Sequence, residues 1–241
     1  MKIKLRKYRT AIFSALAVMA SAAMIHYAMG QIDSAVYTNT AESDPNARVI
    51  VLDSGHGGMD GGCSTADGVN EKGINLSIML SVRDMCRLYG FDTAVTRDRD
   101  ISIHDSGTTG IRNQKVSDME NRLELFNKFP NAVCLSVHQN TYTDPKYSGA
   151  QMFYSPANAD SERFASILQN LFVKNLQPDN MRETKLCGKE LYLCYYCNNP
   201  AVMAECGFLS TPDEAAKLTD RDYQRQVEYT LFTGLNEFIC G

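Results

Sequence analysis

Residues 48–62 read RVIVLDSGHGGMDGG, an apolar run that ends in a carboxylate and continues into a turn with five glycines. The run over 48–53 is short, continuous and rich in β-branched residues, which predicts a strand buried on both faces of a sheet. The glycines allow a tight turn and a close approach of other groups to the backbone. This stretch therefore predicts the first strand of a domain, with a histidine, His56, just beyond its carboxyl end.

Downstream of this strand, the apolar residues alternate between helical spacing and short continuous runs. Helical spacing is clearest over 71–89, where Ile74, Ile78 and Val82 recur every four positions. The further predicted strands are 91–96, 132–137, 151–154, 191–196 and 201–204, and the further predicted helices begin near 116, 160, 212 and 227. This order predicts a single α/β domain over 47–241, with a mostly parallel twisted sheet flanked by helices on both faces.

The first 30 residues differ from the rest in charge and hydropathy. They hold five cations and no acid, and the cations precede an apolar run over 11–29 that has no polar face. This order is typical of an exported protein whose N-terminal segment is a cleaved signal peptide or a retained membrane anchor. The polar, aperiodic residues 31–46 are predicted to be a linker. We expect an extracytoplasmic protein that contacts the membrane only through residues 1–30.

Composition and charge exclude several classes of protein. Hydrophobic residues make up 44% of the chain and charged residues 22%, which excludes a disordered or multi-span membrane protein. The formal net charge is −4, and without the N-terminal cations 19 Lys and Arg face 28 Asp and Glu. Because binding to phosphates needs clustered cations, we expect no nucleic acid partner.

Four ionisable residues fall where an α/β sheet collects functional groups, beyond the carboxyl ends of its parallel strands. His56 follows the first predicted strand, and His138 directly follows a later one. Glu205 directly follows an apolar run, and Glu71 opens the helix that the Gly-rich turn joins to the first strand. We expect these four side chains to share one site.

Two histidines and a carboxylate are a common ligand set for catalytic zinc, because three protein ligands leave a fourth position for water. A second carboxylate that does not bind the metal can act as a general base. Simpler explanations stay open: a histidine at a strand end is more often a hydrogen-bonded structural residue, and Glu71 suits the first turn of a helix. The Gly-rich turn lacks the spacing of phosphate-binding loops.

Eight cysteines leave further alternatives open. Cys63 and Cys206 lie close in sequence to the predicted site, so either thiolate is a rival zinc ligand. Cys194 and Cys197 form a CxxC pair, but the predicted strand there would turn residues three apart to opposite faces. We interpret this pair as core residues or a local disulfide rather than a metal or redox site.

A set of motifs resembles one enzyme family, the zinc-dependent N-acetylmuramoyl-L-alanine amidases often called amidase 3. Each motif alone is weak, but together they occur in the family's order and are highly specific. They are VIVLDSGHGGMDGG (49–62), NEKGINL (70–76), TRDRD (96–100), NRLELFN (121–127), LSVHQN (135–140), SGAQMFY (148–154) and PAVMAECGFLSTPDEAAKL (200–218). The stretch GIRNQKVSDMENR (110–122) further resembles the spore-cortex, CwlD-like branch of endospore formers.

The resemblance implies that His56, Glu71 and His138 bind Zn²⁺ and that Glu205 is the catalytic carboxylate. It also implies an α/β fold and peptidoglycan as the substrate, in the cell wall or the spore cortex. The family cleaves the amide between the lactyl group of N-acetylmuramic acid and L-alanine of the stem peptide. In the spore-cortex branch this cleavage is the first step toward muramic-δ-lactam, which marks the cortex for lysis at germination.

Two rival functions stay open at this point. A non-catalytic or partner-dependent wall-binding protein would have no need of a general base, so the four residues argue against it. A zinc peptidase that acts on stem peptides would use the same chemistry in a different pocket. Because no wall-targeting repeat is visible, an exported accessory protein is a further expected partner. The stretch 195–197 also lacks the basic residue that some members carry before the catalytic strand.

Overall fold

One six-stranded sheet organises residues 48–241, the part of the chain that the computed structural model describes. The strands lie in the order β2-β1-β3-β6-β4-β5. They are β1 (Ile50–Ser54), β2 (Thr93–Val95), β3 (Val133–Asn140), β4 (Gln151–Tyr154), β5 (Lys185–Leu186) and β6 (Ala201–Phe208). The predicted N-terminal segment 1–30 and linker 31–46 lie outside the described residues.

Most neighbouring strands are parallel, as predicted. β1 pairs in parallel with β2 and β3, and β3 pairs in parallel with β6. The direction reverses at β4, which is antiparallel to β6, and β5 runs parallel to β4. The carboxyl ends of β1, β3 and β6 therefore lie together at one edge of the sheet.

Helices cover both faces of the sheet, which confirms the predicted fold class. Side chains alternate along β1, where Ile50 and Leu52 join one core cluster and Val51 joins the other. The larger cluster is covered by α1, α3 and α6, and the smaller one by α2 and α4. The helices are α1 (Glu71–Leu88), α2 (Ile111–Lys128), α3 (Asp160–Asn175), α4 (Tyr192–Tyr195), α5 (Pro212–Thr219) and α6 (Arg221–Cys240). Over 48–241, no helix combines the length and the hydropathy that crossing a bilayer requires.

The strand predicted over 191–196 is wrong, because this segment forms the short helix α4. Leu193, Cys194 and Cys197 are all buried in the smaller core cluster. A helical turn brings residues three and four apart to one side, which a strand cannot do. Packing against the sheet therefore outweighs the β-propensity of this Tyr-rich segment.

All eight cysteines are free thiols in the described part of the chain. The CxxC thiols are buried and donate to backbone carbonyl oxygens, Cys194 to Ala201 and Cys197 to Asn199. The CxxC cysteines thus contact different partners rather than each other. This arrangement agrees with the interpretation of the CxxC pair as core residues.

A buried ion pair joins α2 to the end of β1. The side chains of Arg122 and Asp53 are 2% and 1% exposed, and Nη1 of Arg122 donates to Oδ1 of Asp53 at 2.5 Å. Nε donates to Asp118, while the remaining donors reach the carbonyl oxygens of Ser54 and His56. Burial alone would raise the pKa of Asp53, but the attraction of Arg122 contributes to holding this pKa below its usual value. Arg122 therefore fixes both the helix and the backbone of the Gly-rich turn.

We expect Arg122→Met to lower the free energy of unfolding by about 3–5 kcal/mol, because it leaves the buried carboxylate of Asp53 without its counterion. Urea denaturation of the variant and the parent measures this change. Arg112→Met is the matched control, since Arg112 is an exposed residue of the same helix, and a change within about 0.5 kcal/mol is expected. A loss below about 1 kcal/mol for Arg122→Met would contradict the assigned role of the ion pair.

Candidate metal centre and catalytic site

The four residues singled out from the sequence lie together at the carboxyl end of the parallel strands. His56 follows β1, and Glu71 is the first residue of α1. His138 and Glu205 are opposite each other in the β3–β6 pair. Both lie inside their strands, whereas the sequence placed each just beyond a strand end. These two strands end three and four residues later than predicted because the backbone pairing continues past the apolar residues.

Glu71 lies between the two histidines. Its Oε2 is 3.2 Å from Nε2 of His56, and its Oε1 is 3.0 Å from Nδ1 of His138. The backbone N–H groups of Cys63 and Gln139 donate to the same carboxylate, each at 3.0 Å. Burial disfavours its charged form, but the hydrogen bonds and positive charge of the two imidazoles hold the pKa of Glu71 far below its usual range. The carboxylate is therefore ionised and fixed in position.

His56 is oriented by Asp60, a residue that the sequence analysis did not select. Nδ1 of His56 is 2.9 Å from Oδ2 of Asp60, and the other Asp60 oxygen accepts a hydrogen bond from Lys115 at 2.9 Å. Burial disfavours the imidazolium, but Glu71 and Asp60 together raise the pKa of His56 to about 9. An acid four residues after the histidine of a Gly-rich turn was the available sequence signal for this contact.

The Gly-rich turn places His56 by adopting backbone conformations that L-residues rarely use. His56 itself has a φ of 64°, and Gly57 follows with a φ of 134°. Such a conformation at a non-glycine residue costs free energy and persists only where its surroundings hold it. Here Arg122 donates to the carbonyl oxygen of His56 at 2.8 Å.

Gly55 leaves the space that the ring of His138 occupies. A Cβ atom at position 55 would lie 2.2 Å from Cε1 of His138. The two imidazole rings lie edge to face with centroids 5.0 Å apart. A glycine at this position is therefore required for the present approach of the two histidines.

Glu205 is a largely buried carboxylate with an oxygen that has no partner. Its Oε2 is buried and accepts no hydrogen bond from any residue in the described part of the chain. Burial raises the pKa of Glu205 to about 7, with Glu71 adding to the rise and His138 opposing it. An unpaired carboxylate in such a position is costly, which favours a role that uses the free oxygen.

The donor set fits a zinc ion. One ligand atom from each of His56, Glu71 and His138 can be chosen so that all three lie within 4.8 Å of one another. Two imidazole nitrogens and a carboxylate oxygen are ligands that zinc accepts in catalytic sites. Burial raises the pKa of the Cys63 and Cys206 thiols far above its usual value, so neither thiol is favoured as an anionic ligand.

A cleft of about 300 Å³ opens over His56, His138 and Glu205. Its walls include Met59, Lys115, Met119, Glu190, Tyr192 and Met203. Oγ of Ser136 donates to Oδ2 of Asp53 at 2.5 Å. The cleft is therefore bounded by the Gly-rich turn, α2 and the segment around α4.

Comparison with known proteins identifies the family. The sequence model described as N-acetylmuramoyl-L-alanine amidase (Amidase_3) matches residues 50–237. This chain belongs to the N-acetylmuramoyl-L-alanine amidase family. The resemblance found in the sequence is thereby confirmed, and the amidase is an enzyme that acts on peptidoglycan.

Two relatives of this amidase bear on its closer relationships. It is 32% identical over 194 residues to the germination-specific N-acetylmuramoyl-L-alanine amidase of Bacillus subtilis, covering 80% of this chain and 81% of the relative. It also resembles the CwlD amidase from Clostridioides difficile, solved in complex with the GerS lipoprotein. That likeness has a TM-score of 0.76 and 32% identity, and it covers 80% of this chain and 98% of the other.

A third likeness supports the same fold. The N-acetylmuramoyl-L-alanine amidase from Clostridium difficile 630 matches with a TM-score of 0.68 and 25% identity. The match covers 81% of this chain and 98% of that structure. The sheet and helices of residues 48–241 are therefore those of an amidase_3 domain.

We expect Gly55→Ala to displace the imidazole of His138, because the added methyl group and the ring cannot occupy the same space. Two-dimensional NMR of the histidine ring resonances measures the change, and the chain must remain folded. Gly73→Ala is the matched control, since nothing lies within 4 Å of a Cβ at that exposed position of α1. Unchanged His138 resonances in Gly55→Ala would contradict the close approach described above.

Proposed function

We propose that this amidase is a zinc enzyme in which His56, Glu71 and His138 hold the metal and Glu205 is the catalytic carboxylate. One arrangement carries the proposal. Glu71 is ionised and lies between two imidazoles, and a Glu205 oxygen without a hydrogen-bond partner lies beside them. When bound, zinc acts as a Lewis acid that polarises the scissile carbonyl and makes water more acidic.

The residues of the chain supply orientation and proton transfer. Asp60 holds the proton of His56 on Nδ1, so that Nε2 is free to act as a ligand. Glu205 accepts a proton from the attacking water and passes it to the nitrogen of the leaving L-alanine. A pKa near neutrality suits a group that must both accept and donate this proton. The product pair is a free stem peptide and a muramic acid whose lactyl group ends in a carboxylate.

We propose that the amidase is exported and acts at the outer face of the membrane, in the wall or in the spore cortex. The cations and apolar run of residues 1–30 support this proposal, as a signal peptide or a retained anchor. Residues 31–46 would link that segment to the catalytic domain over 47–241. Membrane contact would be limited to the N-terminal segment.

We further propose a role in cortex maturation and germination, with removal of stem peptides as the first step toward muramic-δ-lactam. The 32% identity to the germination-specific amidase of Bacillus subtilis supports this role. An exported accessory protein is part of the proposal, because the C. difficile relative was solved in complex with a lipoprotein. The rival activity is a zinc peptidase, which would cut within the stem peptide instead.

Digestion of intact peptidoglycan by the zinc-loaded protein should release stem peptides that begin with L-alanine. Mass spectrometry of the products identifies the cleaved bond. Glu205→Gln should lower turnover by about 10²- to 10⁴-fold while retaining zinc, because it removes proton transfer but no ligand. His138→Ala should lose both zinc and activity, and Glu124→Gln, at an exposed position of α2, should behave as the parent.

Three outcomes would contradict parts of this proposal. Near-normal activity of Glu205→Gln would remove Glu205 from catalysis. Full zinc occupancy in His138→Ala, measured by atomic absorption, would remove His138 from the ligand set. Cuts within the peptide would replace the amidase by a peptidase.

The proposed spore role has its own test. In the organism that encodes this chain, a deletion strain should form spores whose cortex lacks muramic-δ-lactam, and the parental gene should restore it. The Glu205→Gln gene is the control, since it should produce the protein without restoring the lactam. Normal lactam content in the deletion strain would place the amidase elsewhere in wall metabolism.

A further inference from the structure

Arg182 carries a guanidinium group for which the described chain offers no acidic partner. It lies in the loop between α3 and β5 and is half-buried. Its Nη2 donates to Oε1 of Gln151, whereas its Nε is buried and has no hydrogen-bond partner. No carboxylate lies within ion-pair distance of Arg182 in the part of the chain that the structure describes. A guanidinium has five N–H donors in a planar fork, so most of its hydrogen-bonding capacity is unused.

The loop holds Arg182 in a fixed position. Its backbone N–H donates to Oδ1 of Asn180 at 2.9 Å, and Nδ2 of Asn180 donates to the carbonyl oxygen of Ala150 at 2.8 Å. The Arg182 guanidinium lies over the ring of Phe208, 5.0 Å from its centroid. Folding has therefore already fixed this cation in place, so a ligand that binds there would not have to order it.

Arg182 lies on the opposite side of Glu205 from the two histidines. In the sheet, Glu205 has His138 opposite it on β3 and Gln151 opposite it on β4. Cross-strand partners point to the same face, so Gln151 and the guanidinium bonded to it share a face with Glu205. Burial lowers the pKa of Arg182, and the negative charges of Glu214 and Glu205 oppose this fall. The site thus has a metal-ligand side and a cationic side.

Three cations that contact the Gly-rich turn already have partners. Lys115 pairs with Asp60, and Arg122 pairs with Asp53 and Asp118. Arg97, behind the Gly-rich turn, donates to backbone carbonyl oxygens from Nε and from both terminal nitrogens. Among the described residues, Arg182 is therefore a cation near Glu205 that no carboxylate pairs.

We propose that Arg182 binds a carboxylate of the stem peptide and so selects the leaving group. This inference rests on the proposed function only for the identity of the substrate. The glycan carries no carboxylate once the lactyl group is in amide linkage, whereas the stem peptide carries the α-carboxylate of its glutamate and a terminal carboxylate. The peptide would then cross β6 toward β4, and the glycan would lie on the side of α2.

The assignment also accounts for a departure seen in the sequence. Positions 195–197 lack the basic residue that some family members carry before the catalytic strand. Arg182, thirteen residues earlier than position 195, places a cation beside the same strand from a neighbouring loop. A carboxylate could accept two parallel hydrogen bonds from this guanidinium, which a lysine in its place could not supply.

The test measures the hydrolysis of three muramyl tripeptides by the full-length, zinc-loaded protein. One carries both carboxylates, one has the glutamate α-carboxylate converted to a carboxamide, and one has the terminal carboxylate converted. We expect conversion of the bound carboxylate to lower kcat/KM by about 10- to 100-fold, the range for a hydrogen bond to a charged group. On the unmodified tripeptide, Arg182→Met should lower kcat/KM by the same factor. On the tripeptide that lacks the bound carboxylate, it should change kcat/KM less than about threefold. Arg182→Lys should restore part of the loss.

Arg163→Met is the matched control. Arg163 also lies over a phenylalanine ring, 4.3 Å from the centroid of Phe238, but it belongs to α3 and its Nη2 donates to the carbonyl oxygen of Phe238. Its kcat/KM should stay within about twofold of the parent on all three substrates, since surface substitutions rarely have large effects. Equal losses on all three substrates in Arg182→Met would overturn the proposal and assign Arg182 a purely structural role. Unchanged kinetics in Arg182→Met would overturn it as well.

Binding of the free tripeptides, measured by calorimetry, separates this inference from the proposed function. The tripeptide with the bound carboxylate should bind the parent about 10- to 100-fold more tightly than it binds Arg182→Met. If this difference appears while the muramyl–alanine bond stays intact, the proposed reaction fails and the carboxylate site stands. If the bond is cleaved and the tripeptides bind both proteins equally, the carboxylate site fails and the reaction stands.

Discussion

The buried ion pair between Arg122 and Asp53 is the interaction on which the site depends. It joins α2 to the end of β1, and the same guanidinium donates to the backbone carbonyl oxygens of Ser54 and His56. Two turns earlier on α2, Lys115 bonds to Asp60, which in turn orients His56. One helix therefore sets both the backbone and the ring of a proposed metal ligand. Its position is fixed by a charge pair that would be costly to break inside the protein.

The two carboxylates of the site differ in pKa because their surroundings differ. Glu71 is ionised because two imidazoles and two backbone N–H groups stabilise its negative charge. Glu205 has no such donors at Oε2, so burial dominates and raises its pKa. The surroundings thus shift the pKa values of two carboxylates of the same type in opposite directions. This difference matches a division of labour between a ligand and a proton carrier.

The fold and the four central residues could be predicted from the sequence because they depend on regular patterns. Apolar residues recur at one regular spacing within most of the strands and helices, so the sequence predicts these elements. Polar groups at strand ends converge in any parallel sheet. The short helix α4 was missed because its conformation is decided by packing of Leu193, Cys194 and Cys197 rather than by local propensity. Asp60 and Arg182 were missed for another reason. The contact that each makes is set by loop geometry, which no periodicity encodes.

The chain direction reverses between β6 and β4, and different kinds of segment supply the side chains on the two sides of this reversal. On one side, His56 comes from the Gly-rich turn and His138 from within β3, and the two must keep a strict mutual geometry. On the other side, the start of β4 and the loop that precedes β5 supply Gln151 and Arg182. Changes of length or sequence in that loop would leave the bond-breaking groups in place. In the proposed site, the loop that binds the peptide can therefore vary while the residues proposed to hold the metal stay the same.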